Sequence, residues 1–457
     1  MKRKYCKILI VIFAVLFFVG APLAIFYAQG YRFNFDERKL VKTGGFFIKA
    51  NPAQCMVYID NKFTKNTDFI FGESFIKNLL PKEYKIRVEK AGYVSWEKTL
   101  KVEKEMVTKA ENITLFQKDI NFSPVSNKVE AYFPSPDQEQ ILLKRQGEEN
   151  YYLELINSEG GEGNIIINEE DLKGVTIKDV LWNHNSEDIL IEKETGGKVY
   201  FSIITNLENK SSQTIINLPT STEEIKFNPY NPNELFFTEN KESKNLFKLT
   251  LSQEGEPEEI IKNIKSYTIE DRNIFWANKE GFIFESSLSG EKTEKINSKP
   301  FPLEEIEGIK VFNGKVFIES DNNFYLFSKE KEEFEQIENN VKEIILSPDG
   351  KRISIINNHE IYLFFLSEIL EQPRREENKK VFLTRLSKEI KETFWLNNHY
   401  LLFSSGDKIK ITETDNRDGL NIITIKEYEN PEIFWNSNNN RVYVLSKNNF
   451  YRSDQLF

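Results

Sequence analysis

The sequence predicts an all-β chain behind one apolar helix: a small β-sandwich, then a closed ring of four-stranded repeats, a β-propeller. Three observations predict it. Short β-branched and aromatic runs alternate with Asn, Asp, Gly and Pro turns along the last three-quarters of the chain. One unit, Ile344–Leu366 (IILSPDGKRISIINNHEIYLFFL), shows the pattern in full. Its strands are Ile344–Leu346, Arg352–Ile356 and Ile361–Leu366. They are split by the turns Ser347-Pro348-Asp349-Gly350 and Asn357-Asn358-His359. In the first turn Pro fixes φ, Asp caps its own backbone and Gly supplies φ > 0. Variants of this unit recur, and 457 residues are too many for one ordinary domain unless that domain is a closed array.

The N-terminus comes first. Ile8–Ala28 (ILIVIFAVLFFVGAPLAIFYA) has no charge over 21 positions, close to the ~20 residues that cross a ~30 Å hydrocarbon core. Pro22 is tolerable in a membrane helix, and Tyr27 and Tyr31 suit the far interface. Lys2, Arg3, Lys4 and Lys7 precede the span with no acid among them. The positive-inside bias therefore places the N-terminus in the cytoplasm and everything after Gln29 outside, as a single pass through the cell membrane. A cleaved signal peptide is the alternative. Val19-Gly20-Ala21 resembles a cleavage site, but Pro22 follows it directly and the apolar run continues. Residues 1–43 are read as cytoplasmic tip, anchor and linker.

Charge is unevenly placed. Residues 1–43 hold eight basic and two acidic side chains, or +6, so a chain total of −10 leaves −16 on the remainder. An acidic body repels phosphate backbones, which argues for no nucleic acid as partner. Cys6 flanks the anchor and Cys55 sits in a strand, so two cysteines make no disulfide framework. Three His leave no His-rich metal site.

Residues 44–117 read as a small β domain. Gly45–Ala50 is a strand stopped by Asn51-Pro52, and Cys55–Asp60 is a second with Cys55, Val57 and Ile59 on one face. Leu79–Lys82 is a turn region. Tyr84, Ile86 and Val88 alternate with charges in a half-buried strand. After the turn Lys90-Ala91-Gly92, the residues Val94, Trp96, Leu100 and Val102 share one parity. Ile113 and Leu115 close the unit. Ala50-Asn51-Pro52, Val57-Tyr58-Ile59-Asp60-Asn61, Pro81–Val88 and Lys90-Ala91-Gly92-Tyr93 resemble, in order and spacing over about 70 residues, the PEGA domain. Ala50, Asn61 and Lys82-Glu83 depart from the family pattern, but Asn tolerates φ > 0, so the turn at Asn61 survives. The resemblance implies an extracytoplasmic β-sandwich and brings no catalytic residues.

Residues 118–457 hold eight repeats. Aligned on the turn after the first strand, they are Tyr132–Leu143, Leu181–Glu192, Lys226–Thr238, Glu270–Ala277, Val311–Ile318, Leu346–Ile356, Phe394–Phe403 and Phe434–Leu445. They lie roughly 34–49 residues apart, around the spacing of propeller blades. Third and fourth strands usually follow, among them Thr214–Leu218. The last repeat runs out at its third strand, Asn449–Phe457, and Lys118–Phe122 supplies its fourth, leaving no open edge. Units four and five are degenerate, so seven blades is the other count. The turn Ser347–Gly350 with the strand Ile361-Tyr362-Leu363 looks like those of TolB-like and WD-repeat-like propellers. That likeness concerns fold alone.

Trp182, Trp395 and Trp435 share one repeat position, filled elsewhere by Phe133, Phe227, Phe312 or Leu346, so they read as inter-blade core and not as a sugar-stacking platform. Trp276 and Trp96 read the same way. His184, His359 and His399 fall in turns of different blades and read as surface residues that do not converge. Asp415-Asn416-Arg417-Asp418-Gly419 faintly resembles a calcium loop, but the later Glu is missing and Arg417 opposes a cation. Glu304-Glu305 and Glu330–Glu335 read as solvated faces. Asn112-Ile113-Thr114 and Asn209-Lys210-Ser211 match the glycosylation pattern, and no HExxH, CxxC or phosphate loop after a strand occurs. The sequence thus assigns no catalytic, cofactor-binding or metal-ligating residue and calls for no cofactor. It points to a membrane-anchored, extracytoplasmic binding or scaffold protein whose propeller face takes an envelope protein or a cell-wall polysaccharide. The alternative is a polysaccharide-acting lyase or hydrolase with carboxylates at the channel mouth.

Overall fold

The computed structural model of the chain describes residues 3–207, 215–218, 221–240, 244–251, 256–302 and 306–457. Thr214, Asn209-Lys210-Ser211 and Glu304-Glu305 lie outside them. Helix α1 spans Arg3–Ala28. Its apolar stretch Ile8–Ala28 has a mean hydropathy of 3.0, and none of it is buried against the rest of the chain. Strands β1 (Tyr31–Asn34) and β2 (Lys39–Lys42) make a hairpin in the stretch expected to be linker. The hairpin is rooted on the helix end. Thr43 donates its N–H and its hydroxyl to Gly30 O at 3.0 and 2.8 Å, and Arg32 lies 3.5 Å over the Tyr27 ring.

Seven strands follow in two sheets. They are β3 (Gly44–Asn51), β4 (Met56–Ile59), β5 (Lys62–Asn66), β6 (Glu73–Leu79), β7 (Glu83–Glu89), β8 (Trp96–Lys101) and β9 (Val107–Thr114). The sheet orders are β6-β3-β9 and β5-β4-β7-β8. Alternation in each strand sends Phe46 and Ile48, Val57 and Ile59, and Ile86 and Val88 into one core with Trp96 and Leu100. Asp60 and Asn61 both have positive φ, 49° and 62°, as the two-residue turn between β4 and β5 requires.

The rest is a ring. Eight four-stranded antiparallel sheets occur from Phe122 onward among the described residues. Their first strands are Val129–Pro134, Thr176–Trp182, Thr222–Phe227, Ile264–Glu270, Gly308–Phe312, Glu343–Leu346, Ile390–Asn397 and Glu432–Asn436. First strands of neighbouring sheets pack on one another, as Ile264–Glu270 does on Gly308–Phe312 and Ile390–Asn397 on Glu432–Asn436. They therefore line the axis, and the later strands step outward. An apolar core fills each space between consecutive sheets. A further core joins the eighth sheet to the first through Tyr443, Phe450, Ile141 and Leu143. Second strands are buried on both faces and so read as continuous apolar runs. In Tyr400–Ser405, Tyr400 and Leu402 face the eighth sheet while Leu401 and Phe403 face the sixth.

Closure differs in detail from expectation. The eighth sheet takes its outer strand from Phe122–Asn127, paired antiparallel with Asn449–Ser453, and not from Lys118–Phe122. Asn121 O still accepts the Asp454 N–H at 2.8 Å, but the residues before it have other partners. Phe116 and Ile120 are drawn into the core between the seventh and eighth sheets, and the Lys118 N–H donates to Gly92 O at 3.0 Å. The tryptophans lie between sheets as the alignment implied. Trp395 and Trp435 are buried and Trp182 half-buried. Trp182 and Trp395 each donate Nε1–H to the first strand of the preceding sheet, at Phe133 O and Ile345 O, both 3.2 Å.

Candidate functional site: the junction cleft

Lys98 lies on the inward face of β8, between Trp96 and Leu100, where the alternation of the strand calls for an apolar residue. It is 1% exposed. Its Nζ has three acceptors from the seventh sheet: Glu413 Oε1 at 2.7 Å, Asp415 O at 2.7 Å and Gly419 O at 2.8 Å. That matches the three donors of an ammonium. Trp96 Nε1 donates to the other carboxylate oxygen, Glu413 Oε2, at 2.8 Å. Asn421 donates to Glu413 Oε1 and Glu97 O, and the Thr99 N–H donates to Asp418 Oδ2 at 2.6 Å. Tyr400 OH accepts the Thr114 N–H at 2.9 Å. The loop Asp415–Gly419, which resembles a calcium loop, thus binds the ammonium of the chain's own Lys98. Arg417 folds back on Asp415, with Nη2 to Oδ2 at 2.6 Å.

A cleft open to solvent lies beside this seam. The excursion 367–379 in the sixth sheet forms one wall and the edge of β9 the other. Ile369 and Arg375 pin the excursion by exchanging backbone hydrogen bonds of 2.8 and 3.0 Å. Gln372 then behaves like a neighbouring strand: its Oε1 accepts the Lys109 N–H at 2.8 Å and its Nε2 donates to Val107 O at 3.2 Å. Arg375 Nη2 donates to Asn416 Oδ1, and Nη1 to Arg374 O at 3.2 Å. His399 also lines the cleft, contrary to its expected surface position. Burial, with Arg352 adding to it, pushes its pKa down to about 4, so the imidazole is neutral at pH 7. His184 and His359 are exposed in turns of the second and sixth sheets, as expected.

A second set of residues lies along the axis. Glu130, Asp179, Glu224, Glu343, Glu392 and Glu432 stand three residues before Phe133, Trp182, Phe227, Leu346, Trp395 and Trp435, so six first strands carry an acid at one repeat position. Glu130 pairs with Lys144 at 3.0 Å and Glu224 with Lys244 at 2.5 Å. Glu343, Glu392 and Glu432, on three consecutive sheets, have no ammonium or guanidinium within 4.0 Å among the described residues. Burial, then the neighbouring Glu392, pushes Glu343 up to about 7. The same two causes raise Glu432. The fixed spacing to the aligned large apolar residue was the signal for this set, and it appears once the repeats are stacked. For Lys98 the signal was a charge at an inward parity. For Gln372 and Arg375 there was none, because their partners are fixed by folding alone.

No family model matches the chain, and no curated protein matches it. Solved structures with similar geometry include Hsv2 from Kluyvelomyces marxianus, 13% identical, covering 66% of this chain and 99% of that one with a TM-score of 0.45. The Cps50 (Swd1) β-propeller domain from Myceliophteria thermophila is 9% identical and covers 73% and 99%, at 0.42. A prolyl endopeptidase is 8% identical and covers 71% of this chain and 55% of its own, at 0.42.

Proposed function

We propose that this chain is a membrane-anchored binding scaffold. In this reading Ile8–Ala28 spans the cell membrane, residues 44–117 are a PEGA-like stalk domain, and residues 118–457 are a propeller held outside. A propeller face then takes an envelope protein or a cell-wall polymer. The observation that carries the reading is the seam at Lys98, which joins stalk and ring and so holds the ring in a set pose above the anchor. The bare apolar surface of α1 supports the anchor, since leaving large aliphatic side chains in water costs about 1.5–3 kcal/mol each. The test is co-sedimentation of the full chain, reconstituted in vesicles, with purified cell wall at low and moderate salt. Saturable binding that survives salt is expected for a wall polymer. No binding above empty vesicles sinks that version, and cross-linking in intact envelopes then decides whether a protein is the partner.

Glu343 favours a second reading, a polysaccharide-acting enzyme. A carboxyl raised to about 7 by burial and by the neighbouring Glu392 is suited to donate a proton to a leaving sugar. Purified chain incubated with wall polysaccharide should then release new sugar ends, and Glu343→Gln should abolish the release. No release by the unmodified chain removes this reading.

A further inference from the structure

We infer that the junction cleft is a binding site for a monocarboxylate attached to an apolar group, with Arg375 receiving the carboxylate. Charge pairing within the cleft is incomplete at Arg375 and, on the exposed rim, at Glu371, which has no cation within 4.0 Å among the described residues. Arg352 has Asp349 at 3.1 Å, Arg417 has Asp415 at 2.6 Å and Lys98 has Glu413 at 2.7 Å. Arg375 has no carboxylate within 4.0 Å among the described residues, and its hydrogen bonds go to the neutral oxygens of Asn416 and Arg374. A half-buried guanidinium with only neutral partners lacks the planar anion that its fork of donors fits best.

A second observation concerns the arginine beside it. The Arg352 side chain is 8% exposed and lines the cleft, and its Nε has no hydrogen-bond partner among the described residues. Both guanidinium carbons lie over one ring, Phe365, at 5.8 and 6.0 Å. A carboxylate placed there meets two guanidinium groups, and its hydrocarbon part meets Phe365, Trp96 and Pro373. Pinning of the excursion at Ile369 and Gln372 presets Arg375, which lowers the ordering cost of binding. The chemistry also excludes other ligands. A polyphosphate brings more negative charge than the one unmatched guanidinium balances and meets Glu371 as well, and a metal cation meets Arg375. The inference does not depend on which partner the propeller face takes.

The test uses the full chain in nanodiscs, with empty nanodiscs as control, and titration by calorimetry and ligand-observed NMR. Benzoate is expected to saturate a single site in the millimolar range that suits so small a ligand, while benzamide, its neutral isostere, does not bind. Arg375→Gln should weaken benzoate at least about tenfold, and the exposed neighbour substitution Arg374→Gln should leave it unchanged. If Arg375→Gln does not fold, Arg375→Lys decides, because it keeps the charge and loses the fork; weaker benzoate is expected. N-acetyl-Phe-Ala separates the two sources of such a group: tighter binding than benzoate assigns a peptide chain end, weaker binding a small free acid. Equal binding of benzoate and benzamide, no benzoate binding, or full binding by the Arg375 variants overturns the inference.

Discussion

At the scale of single residues, two half-buried titratable groups give opposite pH dependences. His399 moves from 6.5 unfolded to about 4 folded because burial and Arg352 disfavour its charged form, against the pull of Asp349, Glu371 and Asp415. Its contribution is complete above pH 6.5 and is lost as pH falls toward 4, by about 3 kcal/mol. Glu343 moves the other way, from 4.5 to about 7, through burial and Glu392, with Lys342 and Lys310 opposing. Its contribution is complete below pH 4.5 and is lost as pH rises through 7, by about 1–2 kcal/mol once solvent screening is allowed for. Between pH 4.5 and 6.5 the two slopes oppose each other. Urea unfolding of Glu343→Gln should therefore show a steeper loss of stability with falling pH than the unmodified chain. His399→Gln should show stability declining as pH rises. Unchanged slopes in both variants would remove the electrostatic assignment of both sites.

At the scale of the element, Trp182, Trp395 and Trp435 each reach from a first strand into the core shared with the sheet before it. Trp395 does so with a hydrogen bond to Ile345 O, whereas Trp435 Nε1 has no partner among the described residues. Trp395→Phe removes one of the two side-chain donors to that carbonyl, the Ser354 hydroxyl at 3.3 Å being the other, and should cost about 1 kcal/mol beyond the lost ring area. Trp435→Phe loses ring area alone. Chemical denaturation of the pair should rank Trp395→Phe as more destabilising by about 1 kcal/mol; equal costs would mean the bond contributes nothing. Strand positions were legible in the sequence because burial on alternate residues leaves a period of two. Lys62–Asn66 was not legible, because all five of its residues are exposed and nothing in them alternates. Phe122–Asn127 was misplaced by a few residues because Phe116 and Ile120 look like strand residues but serve the core between two sheets.

At the scale of the whole molecule, the seam decides cooperativity. Two units joined by a polar contact usually unfold separately. Here the contact includes an ammonium with all three donors satisfied and a carboxylate shared with Trp96 and Asn421. We expect one thermal transition for the full chain. Lys98→Met should cost about 3–5 kcal/mol by leaving Glu413 buried without its cation, and should split the transition in two. Lys98→Met combined with Glu413→Gln should recover part of the loss, because no bare charge then remains. A single unsplit transition in the Lys98 variant, followed by calorimetry, would show that the seam does not couple the units.

The sequence by itself determined the apolar helix, the strand units, the repeat spacing and the inter-sheet place of the tryptophans. Each is written in local order: a period, a turn residue or an uncharged run acts within a few positions. Only the tertiary structure decided the rest. Lys98 and its acceptors are more than 300 positions apart, as are Trp96 and Glu413. Gln372 meets the edge of β9 across a similar separation. Polar groups that pair over such distances are chosen by shape and charge after the sheets have formed, and no local pattern encodes that choice. The same holds for the cleft, since a space between two surfaces exists only once both are folded.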